Sequence, residues 1–215
     1  MPAALLPTLL LGALLGMRHA TDADHVVAVT TIVTRQGRLR DALRIGALWG
    51  IGHTATILLV GGAIILLHLV IPPRLGLAME FAVALMLIGL GVYNLLGDRS
   101  PTPGALTTAR PVLVGVVHGL AGSAAIALLV LATLDDARWA VGYLLLFGMG
   151  TMVGMMAVTA TVAAPMAFSL SRFGHLRRSL QLAAGTLSVT FGLFLAGHIA
   201  VVDGLFTATP LWLPR

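Results

Sequence analysis

Neither cysteine nor lysine occurs anywhere in the 215 residues. The first absence excludes disulfides, thiolate metal centres and thiol redox chemistry. The second excludes the glycine-rich phosphate loop that closes on a lysine, so the chain carries no ATP-hydrolysing motif of that kind. All 13 basic residues are arginine. Charge as a whole is scarce: charged residues make up 10% of the sequence, against about 25% in a soluble domain. Hydrophobic residues make up 58%. That balance predicts an all-α polytopic membrane protein with little soluble mass. A net charge of +5 would suit nucleic acid in a soluble chain, but between apolar spans basic residues mark cytoplasmic loops, so no nucleic-acid partner is expected. The N-terminus lacks the basic n-region of a secretory signal, and residues 3–17 read as retained rather than cleaved.

What the chain does have is long apolar runs. At about 20 apolar residues per crossing, six transmembrane helices fall near 3–33, 43–71, 76–97, 111–133, 138–168 and 178–203. Arg35, Arg38, Arg40 and Arg44 follow the first span. Arg99 and Arg110 flank the third connection, and Arg172, Arg177 and Arg178 lie in the fifth. These three connections share one side. The opposite side has Arg74, Arg138 and Arg215, offset by Asp135, Asp136 and Asp203. The positive-inside rule therefore puts the arginine-rich connections in the cytoplasm and both termini outside.

Residues 98–110, with Pro101 and Pro103, form the clearest linker. It separates a first three-helix unit, 1–97, from a second, 111–215. The two units echo each other. Leu14-Leu15-Gly16-Met17-Arg18-His19-Ala20 aligns with Leu113-Val114-Gly115-Val116-Val117-His118-Gly119, so Gly16 and His19 fall on Gly115 and His118. Trp49-Gly50-Ile51-Gly52-His53 aligns with Phe147-Gly148-Met149-Gly150-Thr151. With three spans in each unit the second runs inverted relative to the first. Inverted repeats are a transporter architecture, with the substrate site near the midplane between them.

The first span is interrupted by Arg18-His19-Ala20-Thr21-Asp22-Ala23-Asp24-His25. A charged side chain at bilayer depth costs roughly 2.5–3.5 kcal/mol on insertion scales, and ionisable residues there are functional by default. Two imidazoles and two carboxylates suit a divalent transition metal. A continuous helix over 3–33 would reach roughly 46 Å against a hydrocarbon core of about 30 Å. It must tilt strongly or break, and the polar string is the natural break, since transporters build ion sites from broken helices. Were the string helical, His19, Asp22 and His25 would share one face. Asp24 would then orient a histidine from behind, and Arg18 would pair with Asp22. The blander reading, a self-paired polar loop at the membrane surface, leaves the apolar residues 26–33 without a crossing to complete.

Other polar residues in the spans fall into place around this string. His53, after Gly50-Ile51-Gly52, is the candidate ligand from a second helix. His118, Ser123 and Arg18 are candidates for the transport path. His198 reads as a packing histidine, and His68 and His175 as interfacial. Asn94 is expected to make an interhelical hydrogen bond, and Glu80 to be solvated near the outer end. Imidazole suits Ni²⁺, Co²⁺ and Zn²⁺, while the lack of thiolate disfavours Cu⁺.

The Arg18–His25 string resembles the signature of the nickel/cobalt transporter family, in which a histidine, four residues, an aspartate and a histidine define the metal-recognition helix. His19, Asp24 and His25 meet that spacing, and the match runs on through Val26-Val27-Ala28-Val29. Leu48-Trp49-Gly50-Ile51-Gly52-His53-Thr54 is similar to that family's second glycine-histidine segment. The resemblance implies a permease for Ni²⁺ or Co²⁺ in a prokaryotic cell (inner) membrane. The ion is its transported substrate and there is no prosthetic group. His19, Asp24 and His25 are the implied metal residues, with Asp22 and His53 beside them.

The sequence departs from that family in two places. Family members commonly have eight spans with the signature in the second, whereas here it lies in the first of six. Their later acidic motif is replaced by Val117-His118-Gly119-Leu120-Ala121-Gly122-Ser123-Ala124, which has no carboxylate. In this the chain is similar to the short membrane proteins related to the family, some of them associated with urease or hydrogenase metal supply.

The expected function is a secondary-type permease working by alternating access, not an enzyme. Three other readings compete, one of them a membrane subunit that hands metal to a cytoplasmic partner through its arginine-rich loops. An intramembrane zinc metallohydrolase needs a general base and a substrate cavity, neither of which the sequence displays, and it lacks His-Glu-x-x-His. An amino-acid or small-anion exporter of similar plan would use Arg18 to hold its substrate. The lipid bilayer is the expected surrounding; a homodimer and a cytoplasmic metal-accepting protein are compatible partners.

Overall fold

The computed structural model describes residues 5–36, 38–67, 71–97, 106–120, 134, 136–172 and 176–212. Among them every regular element is helical: α1 (Leu5–His19), α2 (Ala23–Val33), α3 (Leu39–Leu67), α4 (Pro73–Leu96), α5 (Leu106–Gly119), α6 (Ala137–Arg172) and α7 (Leu176–Gly197). A π-helical turn, His198–Val202, continues α7. Within the described residues four stretches are long and apolar enough to cross a membrane: Leu39–Ile64, Pro73–Leu96, Ala137–Phe168 and Arg178–Val202. They match four of the six expected spans. Of the fourth expected span only the first part is described, as α5. Ser123, Gly122, Asp135, His68 and His175 lie outside the described residues.

The remaining expected span, 3–33, is two helices. α1 has 15 residues and α2 has 11, about 22 Å and 16 Å of helix, so neither crosses alone. The chain leaves α1 through two tight turns. Thr21 N–H donates to the Arg18 carbonyl at 2.8 Å and Asp22 N–H to that of His19 at 3.0 Å. The Thr21 hydroxyl adds a second bond to the Arg18 carbonyl at 2.6 Å. These bonds satisfy carbonyls that a helix end leaves without intrahelical partners. Asp22 then takes extended backbone as the N-cap of α2, with φ −60° and ψ 148°. The single polar face expected of a continuous helix is therefore replaced by a bend, and the side chains before and after it turn toward each other.

Packing holds this bend at the centre of the bundle. α1 lies on α6, α3 lies between α5 and α6, and α4 packs along α7, while α2 touches α4, α6 and α7. Glycine lets the backbones meet. A Cβ on Gly16 would overlap the Phe147 carbonyl, and one on Gly115 would overlap that of Trp49. Trp49, Ala20, Val29, Leu87 and Met155 form the buried core beside the bend. Large apolar side chains such as Leu59, Leu96 and Phe194 cover the outside, as lipid contact requires.

Two polar ties fasten the ends. Asn94 of α4 donates to the Thr34 hydroxyl at 3.0 Å and the Gln181 carbonyl at 3.2 Å. It also accepts from Arg35 Nε at 2.9 Å. The interhelical bond expected of Asn94 is thus present. Glu80 is buried rather than solvated: it accepts a 2.8 Å bond from Trp212 Nε1, because residues 203–212 fold back over α4. His198 pairs with Asp203 at 3.2 Å and is half-buried.

Candidate metal centre

His19 ends α1, His25 lies in the first turn of α2, His53 is mid-way along α3, and His118 is next to last in α5. All four imidazoles are buried. Their rings form a compact nest: centroids are 4.6 Å apart for His19 and His25, 5.2 Å for His25 and His53, and 4.1 Å for His25 and His118. The bend makes this possible, since six residues of uninterrupted helix would carry His25 most of two turns away from His19.

Two carboxylates fix the imidazoles. Asp22 accepts from His19 Nδ1 at 2.9 Å, which leaves the lone pair on Nε2. That Nε2 lies 3.1 Å from Nε2 of His53. Asp24 accepts from the backbone N–H of His25 at 2.9 Å and from His25 Nδ1 at 3.1 Å through one oxygen. Its other oxygen accepts from His118 Nε2 at 2.9 Å. A carboxylate behind a histidine sets the tautomer and raises the basicity of the free nitrogen. Asp24 also sits in the first turn of α2, where the helix dipole favours a negative charge.

Several ring nitrogens of the nest are left over from these bonds. Among the described residues, His25 Nε2, His53 Nδ1 and His118 Nδ1 are buried without a hydrogen-bond partner. An orphaned buried donor or acceptor is costly, and clusters of them mark places where a ligand completes the set. One donor atom from each of His19, His25 and His53 falls within 4.8 Å of the others, and the same holds for Asp24, His25 and His118. Imidazole nitrogens bind such an ion at about 2.1 Å, so each triad would close inward on it.

Of the residues singled out from sequence, the structure brings together His19, Asp22, Asp24, His25, His53 and His118. Arg18 does not join them. It is exposed, and among the described residues it forms no ion pair with Asp22, whose carboxylate turns to His19 instead. The expected roles of the two aspartates also shift. Asp22 stands behind His19, and Asp24 bridges His25 and His118. Trp49 is an addition: its ring lies parallel to His25, 5° between planes at 6.0 Å, walling the nest. Its place four residues before His53, one helical turn away, was the available signal.

Comparison with protein-family models finds no match, and no solved structure matches the chain. One curated relative does: the urease accessory protein UreH of Bacillus sp. (strain TB-90) is 34% identical, with 97% of each chain covered. The chain belongs to the UreH family. The relative is named as an accessory protein to an enzyme, not as an enzyme itself.

Proposed function

We propose that this chain is a secondary-type permease that carries Ni²⁺, or Co²⁺, across a prokaryotic cell membrane on its buried His/Asp nest. The observation that carries this reading is the convergence of His19, His25 and His53, from three different helices, on one point inside a membrane-type bundle. Neutral imidazole is a good ligand for these ions, and the two aspartates offset the ion's charge. Kinship with a protein named for service to urease favours nickel as the cargo.

The reading includes two inverted three-helix units that rock about the site, with both termini outside. Matched close contacts support it. Gly16 meets Phe147 and Thr151 as Gly115 meets Trp49 and His53. Gly150 meets Ala13 as Gly52 meets Val112. Gly91 meets Gly185 and Val189 as Gly192 meets Ala84 and Ile88. The first two correspondences are those of the sequence echo between the units.

The test is total cellular nickel and cobalt in cells expressing the chain, beside His25→Ala at matched membrane abundance. A rise with the unaltered chain alone supports import through this nest, and a fall supports efflux through it. No difference for either metal overturns the reading.

A further inference from the structure

The donor atoms of the nest do not gather as one set. Among the described residues they form two triads, His19–His25–His53 and Asp24–His25–His118, which have only His25 in common. The first draws on α1, α2 and α3, the second on α2 and α5. His25 lies 4.1 Å from His118 by ring centroid, while His53 and His118 are 6.1 Å apart. Asp24 joins the two triads mechanically: one oxygen holds His25 and the other holds His118.

Resting on the permease reading above, we infer that the nest is two successive ion positions with His25 as the shared ligand. The ion binds first or last at His19–His25–His53 and passes to Asp24–His25–His118 by exchanging partners around one ring. Two divalent charges a few ångströms apart repel strongly in a low-dielectric interior, so one ion occupies one position at a time. His118 is the ligand that distinguishes the second position. Its Nε2 is held by Asp24 at 2.9 Å in the ion-free chain, and its Nδ1 is buried with no partner among the described residues. Transfer along a chain of shared ligands avoids a fully dehydrated ion with no ligands in the bilayer core. It also gives His118, contributed by the second unit of the chain, a part in moving the ion rather than in capturing it.

The experiment uses the full chain in lipid nanodiscs for Ni²⁺ binding and in vesicles for Ni²⁺ flux, with Ni²⁺ alone as the probe. The variants are His53→Ala, His118→Ala, the double variant and His25→Ala, with His118→Asn as a closer match in size should the alanine variant not fold. Each single variant at 53 or 118 is expected to keep one bound ion with affinity lowered 10- to 100-fold, and to lose at least 100-fold in flux. The double variant is expected to lose binding. Complete loss of binding in His118→Ala and His118→Asn, equal to that of His25→Ala, would mean one undivided site and would overturn the proposal. Unchanged flux in either His118 variant would overturn it too. Unaltered Ni²⁺ affinity in His25→Ala would instead remove the permease reading beneath it.

Discussion

The Nε2 atoms of His19 and His53 face each other across 3.1 Å, one at the end of α1 and the other inside α3. Two nitrogens at that separation, each about 2.1 Å from an ion, subtend about 95° at it. In the ion-free chain His53 Nε2–H donates to His19 Nε2, and an ion taking that proton's place would find the two nitrogens spaced as neighbouring ligands. Asp22 holds His19 in the tautomer that leaves its Nε2 unprotonated.

Asp22→Asn should consequently weaken Ni²⁺ binding 10- to 100-fold, the usual cost of removing a carboxylate behind a metal-bound histidine. The protein should remain folded, because Asp22 is half-exposed and makes no side-chain cap bond to α2. Equilibrium dialysis of the purified variant measures this; an affinity within a factor of two of the unaltered chain counts against the orienting role.

Metal and proton compete for the same imidazole nitrogens. Only the neutral imidazole is a ligand. Ni²⁺ affinity should therefore fall once the medium is acid enough to protonate the nest, and should return when neutral pH is restored. Binding that persists unchanged down to the pH at which the chain unfolds would mean that imidazoles are not the ligands.

Gly115 and Gly62 make a contrasting pair. A Cβ at Gly115 would overlap the Trp49 carbonyl and crowd the His53 amide, whereas among the described residues a Cβ at Gly62 meets nothing within 4 Å. Gly115→Val should destabilise by about 1–3 kcal/mol through overpacking and displace His53 from the nest. Gly62→Ala should be neutral or slightly stabilising, since alanine is the better helix former. Thermal unfolding in detergent compares them, and equal melting temperatures for the two variants would show that the α3–α5 contact is looser than described.

Much of this was legible in the sequence, and the gaps have physical causes. Apolar runs locate the described helices because lipid demands them. Excess length required the first span to tilt or break, and the polar string marked the place where it does break. The pairing of each aspartate did not follow, because it depends on the helical phase on either side of a bend, and a turn of three residues resets that phase. The echo of His19 in His118 hinted that α5 reaches the nest, but alignment places residues in register without fixing distance. The burial of Glu80 was hidden for a different reason. Its partner, Trp212, is brought to it by a fold-back of residues 203–212 that hydropathy does not encode.

The most direct measurement is Ni²⁺ binding by the purified chain in lipid nanodiscs, with X-ray absorption at the nickel edge, beside His25→Ala. The account predicts one ion per chain, imidazole nitrogens among its ligands at about 2.1 Å, and loss of both the ion and the imidazole signal in the variant. An unaltered affinity in His25→Ala, or bound nickel without imidazole ligands, would contradict it.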